Sequence, residues 1–142
     1  FETSHDAAFP GAYTFECGGS RVSILTDTGT VSRSMFENIC RSQAVLIEAN
    51  HDRDMLINGP YVYPLKRRIL SDLGHMSNAM CAKVVSRLIE NGITKQILIG
   101  HLSEINNRPE IAYKEVNSVV MNSEAEVFLT YQNKRSEVCV AE

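Results

Sequence analysis

Ala44-Val45-Leu46-Ile47-Glu48 is a short, unbroken apolar run that closes on a carboxylate, and Gln96-Ile97-Leu98-Ile99-Gly100 repeats the pattern further along the chain. Runs of this length are too short for a core helix, and their β-branched content predicts two strands covered on both faces. Between and around them the apolar period changes to that of a helix. Ser77 is placed to cap a helix over roughly 78–90, with Cys81, Val84, Val85, Leu88 and Ile89 on one stripe and Asn91-Gly92 at its end. Pro109 opens another, with Ala112, Val116, Val119 and Val120 inward.

Shorter helices are expected from Ser32 to about Arg41, after Asp52 up to Gly59-Pro60, and over 63–71. At the two ends the pattern is that of strand pairs. Runs 12–17 and 21–26 flank Gly18-Gly19, which suits a tight hairpin turn, and runs 125–131 and 137–140 flank Asn133-Lys134. Interleaved strands and helices with hairpins at the ends predict an α/β layered structure on a mixed β-sheet with flanking helices.

The chain has 142 residues, enough for one domain with a sizeable core. A net charge of −3 gives no global electrostatic case for binding nucleic acid or membrane, so any polyanion must be held by a local basic patch or by metal. No apolar run approaches a membrane span, and no signal-peptide pattern is present. Cys17, Cys40, Cys81 and Cys139 form no Cys-x-x-Cys pair, which argues against a thiolate zinc site. Buried free thiols in a reducing compartment are the simplest reading, and the expected location is cytoplasmic.

His5, Asp27 and His101 carry the chemistry. Each follows or ends a strand-like run, where a side chain projects rigidly into a cleft, and imidazole and carboxylate suit a Zn- or Mn-type ion. Taken alone, His5 could be an ordinary surface histidine, Asp27 a turn residue and His101 a satisfied core histidine. Three ligands are also too few for a two-metal site. The only dense basic cluster is Lys66-Arg67-Arg68.

Five segments settle the balance. Ser4-His5-Asp6-Ala7, Thr26-Asp27-Thr28-Gly29, Glu48-Ala49-Asn50-His51-Asp52, Gly74-His75-Met76-Ser77-Asn78 and Gly100-His101-Leu102-Ser103-Glu104-Ile105-Asn106-Asn107 follow one another in that order. Together they resemble the C-terminal half of a metallo-β-lactamase-fold hydrolase. The likeness is to the YycJ-type bacterial metallohydrolases and, more distantly, to the tRNA-processing ribonuclease Z. Asn58-Gly59-Pro60-Tyr61 followed by Pro64-Leu65-Lys66 strengthens the narrower match.

That resemblance implies part of an αββα sandwich, with residues 1–142 as the C-terminal portion of one domain whose N-terminal half is absent. The family's His-x-His-x-Asp-His motif does not occur in these 142 residues. It further implies two divalent ions, zinc or manganese. His5 would join the first, Asp27 would bridge both, and His101 would complete the second. A carboxylate with two oxygens suits the bridge, and such a pair activates a shared water as a metal-bound hydroxide.

By the same likeness His75 is a non-ligand that handles charge on the scissile phosphate, a task that suits imidazole near neutral pH. Glu48, at a strand end, is expected to orient His75. His51, Lys66, Arg67 and Asn78 are candidate substrate contacts, with Tyr61 and Tyr63 available to stack on bases. Asn106 and Asn107 are expected to shape the turn before Pro109. The activity implied is a phosphodiesterase or exonuclease acting on DNA, with the isolated chain inactive until the rest of the domain is supplied. Hydrolysis of small esters or thioesters on the same fold is the alternative. So is a catalytically inert polypeptide that serves as a partner subunit.

Overall fold

A computed structural model describes residues 1–141. Ten elements follow in order: β1 (Tyr13–Cys17), β2 (Ser20–Leu25), α1 (Arg33–Ile39), β3 (Ala44–Glu48), α2 (Arg53–Asn58), α3 (Tyr63–Ile69), α4 (Asn78–Ile89), β4 (Gln96–Gly100), α5 (Pro109–Val120) and β5 (Glu126–Leu129). The five strands form one mixed sheet in the spatial order β1-β2-β3-β4-β5. β1 and β2 are antiparallel, with Tyr13 opposite Ile24 and Cys17 opposite Ser20. β2 to β5 are parallel, with Ile24 beside Leu46 and Leu46 beside Leu98.

The Gly18-Gly19 turn forms as expected, with φ of 60° and 90° that only glycine adopts at little cost. Ser32, Asp52 and Ser77 each accept a hydrogen bond from the backbone N–H three residues on, so all three predicted caps are made.

At the centres of β3 and β4 the side chains alternate in burial, although Ala44 and Glu48 are buried on the same face as Leu46, and this corrects the expectation of strands covered on both faces throughout. Val45, Ile47, Ile97 and Ile99 are fully buried and join Leu25, Val85, Leu88, Ala112 and Val116 in the core beneath the helices. Leu46 and Leu98 point the other way and are half-buried. Register places Tyr13, Phe15, Val22, Ile24, Leu46, Leu98 and Phe128 together on that second face. Helices therefore cover one face of the sheet, and the other is an apolar surface.

The closing strand pair is not formed either. β5 pairs in parallel with β4 over Gln96–Ile99 and Glu126–Leu129, and residues 137–140 are not in a strand, although the Gln96 side chain donates to the Val140 carbonyl at 3.0 Å. β5 is the edge strand of the sheet, and residues 137–140 do not pair with its open side. All four cysteines are free, as expected, but only Cys81 is buried. Cys17 lies exposed on the edge strand, so the reading of four buried thiols holds for one. Among the described residues, no helix is long and apolar enough to cross a membrane.

Candidate metal centre

The parallel strands all point their C-terminal ends to one edge, and the loops leaving that edge bring His5, Asp27, Glu48, His75 and His101 together. β2 delivers Asp27, β3 ends on Glu48, and β4 delivers His101. Among the described residues, Asp27 and His101 are the two non-glycine residues with positive φ, at 54° and 56°. Left-handed backbone is unfavourable for residues with a Cβ and clusters at functional sites. Here it turns each chain sharply off its strand, so that both side chains face one point.

One oxygen of Asp27, Oδ1, lies 3.8 Å from His5 Nε2, 3.8 Å from His75 Nδ1 and 3.6 Å from His101 Nε2. These distances exceed a hydrogen bond. Donors about 2 Å from one tetrahedral ion lie roughly 3.3 Å from one another. The spacing is thus close to that of neighbouring ligands, and the donor set fits a divalent ion of the Zn or Mn kind. His5 Nδ1 donates to the Gly74 carbonyl at 2.9 Å, which leaves Nε2 as the free, basic nitrogen facing Asp27. Two groups have donor atoms all within 4.8 Å of one another: His5, Asp27 and His75, and Glu48, His75 and His101.

Glu48 is the hub. It is wholly buried. Its Oε1 lies 2.7 Å from His75 Nδ1 and 3.4 Å from His101 Nδ1, while Oε2 accepts from the Thr28 N–H at 3.2 Å. One carboxylate thus orients His75, steadies His101 and pins the loop that carries Asp27. Burial pushes its carboxyl pKa up, but the bonds from His101 and His75 outweigh burial and hold it below the ordinary value. Glu48 in turn raises the pKa of His101.

His75, expected as a non-ligand, lies among the candidate ligands. The His5 and His75 rings are 4.9 Å apart, and those of His75 and His101 5.3 Å. With Nδ1 given to Glu48, the ring has Nε2 to offer. The segment that carries it is seated by close packing. A Cβ on Gly29 would collide with the carbonyls of Ser71 and Asp72, and one on Gly74 with those of Arg68 and Ile69.

The expected substrate contacts divide. His51 is 1% exposed, neither ring nitrogen has a partner, and burial holds its pKa down at about 4. Asn78 is buried and exchanges two amide hydrogen bonds with Asn107, of 3.0 and 2.9 Å. Neither residue is open to a substrate, which corrects both expectations. Lys66 spends its ammonium on the Ile57 carbonyl at 2.7 Å, and the Arg67 guanidinium lies 6.0 Å from the Tyr63 ring centre. In that cluster it is Arg68 that reaches the site. Its guanidinium forms a two-pronged pair with Asp6, beside His5, and holds the Asp6 carboxyl down at about 2.

Sequence reasoning missed that pair, which joins residues far apart in the chain. It also missed a cleft of about 870 Å³ beside His101, lined among others by Asn50, Arg108, Tyr131 and Lys134. The Lys134 ammonium sits 3.9 Å from the Tyr131 ring centre. Only the basic and aromatic residue types there could have flagged it.

No family model matches the chain. The exodeoxyribonuclease WalJ of Streptococcus pneumoniae strain D39 is 46% identical over 113 residues, which cover 80% of this chain and 42% of that protein. The exodeoxyribonuclease YycJ of Bacillus anthracis is 42% identical over 120 residues, covering 84% and 45%. The metallo-β-lactamase fold protein YhfI of Bacillus subtilis superimposes with a TM-score of 0.61 at 18% identity, over 92% of this chain and 44% of that one. The chain has the metallo-β-lactamase fold and is similar in sequence to the YycJ-type proteins. It spans less than half the length of the curated YycJ-type relatives it matches. The α/β class, the mixed sheet and the family likeness expected from the ordered motifs all stand.

Proposed function

We propose that this chain is the C-terminal portion of a metal-dependent exodeoxyribonuclease that cleaves DNA phosphodiesters at a two-metal centre. The observation that carries the reading is the convergence of His5, His75 and His101 on one oxygen of Asp27, with buried Glu48 behind them. The YycJ-type relatives bear the name exodeoxyribonuclease, which favours a DNA substrate over a small ester.

His5, Asp27 and His101 would hold the ions. Divalent ions bound there would supply Lewis acidity, to activate water and neutralise charge on phosphate. The remaining steps belong to the side chains. His75, fixed through Nδ1 by Glu48, presents Nε2–H to a phosphate oxygen and hands a proton to the departing sugar oxygen. Glu48 stabilises the imidazolium that precedes this transfer, as a carboxylate does behind a catalytic histidine. The Asp6–Arg68 pair holds the His5 segment against α3, so the His5 ring arrives already aimed. Arg108 and Lys134 in the cleft beside His101 give a DNA strand two cations and Tyr131 a stacking face. On α3, Arg67 contacts the phosphate backbone farther out.

The uncovered apolar sheet face is the seat of the N-terminal portion of the domain. Surfaces of this kind seek a partner, and the curated relatives are more than twice as long as the segment they share with this chain. That portion also brings the His-x-His-x-Asp-His ligands. The deciding experiment expresses the chain together with the polypeptide encoded upstream, loads it with Mn²⁺ or Zn²⁺ and supplies end-labelled DNA. Shortening of the DNA from an end, lost on chelation, is the expected result. A metal-loaded protein that cuts no DNA overturns the nuclease reading.

A further inference from the structure

We infer that Asn50 is a positioning residue for His101, and that the buried Asn78–Asn107 amide pair braces it in that task. His101 stands at the end of β4 with φ of 56°, a conformation its Cβ opposes. Nothing within residue 101 favours that backbone, so contacts from elsewhere must hold it. Asn50 supplies them on both sides. Its side-chain Nδ2 donates to the His101 carbonyl at 3.0 Å, and its own carbonyl accepts from the Ser103 N–H at 2.8 Å. The cost of a left-handed residue and the net gain of one hydrogen bond are of the same order, so a single donor here decides the balance.

Asn50 is itself held from two directions. Its backbone N–H donates to the Met76 carbonyl at 2.9 Å, next to His75. The Asn107 amide nitrogen lies 2.8 Å from the Ala49 carbonyl and 3.1 Å from that of Asn50. The same amide exchanges hydrogen bonds with Asn78, at the start of α4. The β3 exit, the start of α4 and the loop after His101 are thereby locked into one unit. A buried polar network of this kind is specific because every member must be satisfied. Asn50 acts through His101: it fixes the backbone from which the imidazole reaches Asp27.

The consequence for metal binding rests on the metal-centre reading above, while the consequence for the backbone does not. The test therefore has two arms, both on the whole chain. Asn50→Ala removes the donor. Asn50→Asp keeps the shape and replaces the amide donor by an acceptor. Both changes fall on a half-exposed side chain outside the core, and circular dichroism verifies the fold. The first arm reads the amide-to-Hα nuclear Overhauser effect within residue 101, which is strong when φ is positive. Both variants are expected to lose it. The second arm titrates Co²⁺ and follows its visible absorption. Both variants are expected to bind about tenfold more weakly, the usual scale for a lost outer contact to a ligand.

In a His101→Ala background, the Asn50 substitutions are expected to change Co²⁺ affinity less than about twofold, because the residue they act through is gone. A residue 101 that keeps its left-handed signal in both variants overturns the inference. So does a loss of Co²⁺ affinity that is equally large with and without His101. If the unsubstituted chain takes up no Co²⁺ at all, the metal reading falls, and the Overhauser arm alone decides whether Asn50 holds the backbone.

Discussion

Asp27 and Glu48 are both carboxylates at strand ends, and their surroundings give them opposite work. Asp27 is nearly half exposed and offers one oxygen to three imidazoles without bonding any of them. Asp27→Asn keeps its size and removes the charge that a divalent ion needs. Metal uptake, followed by Co²⁺ absorption, is expected to fall by at least about tenfold while the fold persists. Glu48 has no exposure and no free oxygen. In the nuclease proposed above, Glu48→Gln is expected to lower kcat by roughly 10²-fold, the scale of an impaired general acid, with KM little changed. An equal fall in affinity for DNA in place of kcat would contradict that role.

His51 gives a pH signature of its own. Burial holds its folded-state pKa at about 4, against an ordinary value near 6.5. Between those values the unfolded chain binds a proton that the folded chain does not, so stability rises with pH in that window. Acidification from about 6.5 to 4 should therefore weaken the fold. Urea midpoints across this range are expected to fall more steeply for the native chain than for His51→Leu, where the titrating ring is absent.

At the scale of elements, the site is set by how closely the segments pack. The turn after α3 runs so near its own helix that a methyl group on Gly74 would strike the Arg68 and Ile69 carbonyls. Gly74→Ala is expected to cost about 1–3 kcal/mol in urea unfolding. It should also shift the His5 ring resonances, since Gly74 supplies the carbonyl that sets the His5 tautomer.

Much of this layer was legible in the sequence. β3 and β4 could be read from unbroken apolar runs, and the caps of α1, α2 and α4 from Ser32, Asp52 and Ser77. His5, Asp27 and His101 could be picked out because each adjoins such a run. What escaped depends on partners distant in the chain. A run such as Leu46-Ile47 looks alike whether one face or both are covered, and Val138 alternates with Val140 whether or not a strand is free to pair. The bond from Glu48 to His75 was foreseen through the likeness. The reach of Glu48 to Thr28, the pairing of Asn78 with Asn107 and the grip of Arg68 on Asp6 leave no local pattern, because each is a contact made only when the loops meet.

For the whole molecule, the asymmetry of the sheet governs behaviour. With helices on one face and Tyr13, Phe15, Leu46 and Leu98 on the other, the isolated chain is expected to bind a fluorescent apolar probe such as ANS. Adding the N-terminal portion should quench that signal and raise the melting temperature by roughly 5 °C or more at saturating excess. Unchanged fluorescence and melting would mean that the open face is not where the partner sits.

Because the strands lie side by side in the order in which they occur in the chain, the sheet can assemble by annexation, each new strand joining the edge its predecessor left. The ligands do not follow that timetable. Asp27, Glu48, His75 and His101 emerge in sequence, but His5 is synthesised first and seated late. Its acceptor, the Gly74 carbonyl, lies 69 residues downstream. The earliest made of these five side chains thus waits for 69 further residues before it has a place to bind, and a cation that captures the nascent His5 early would have to release it for the native centre to close.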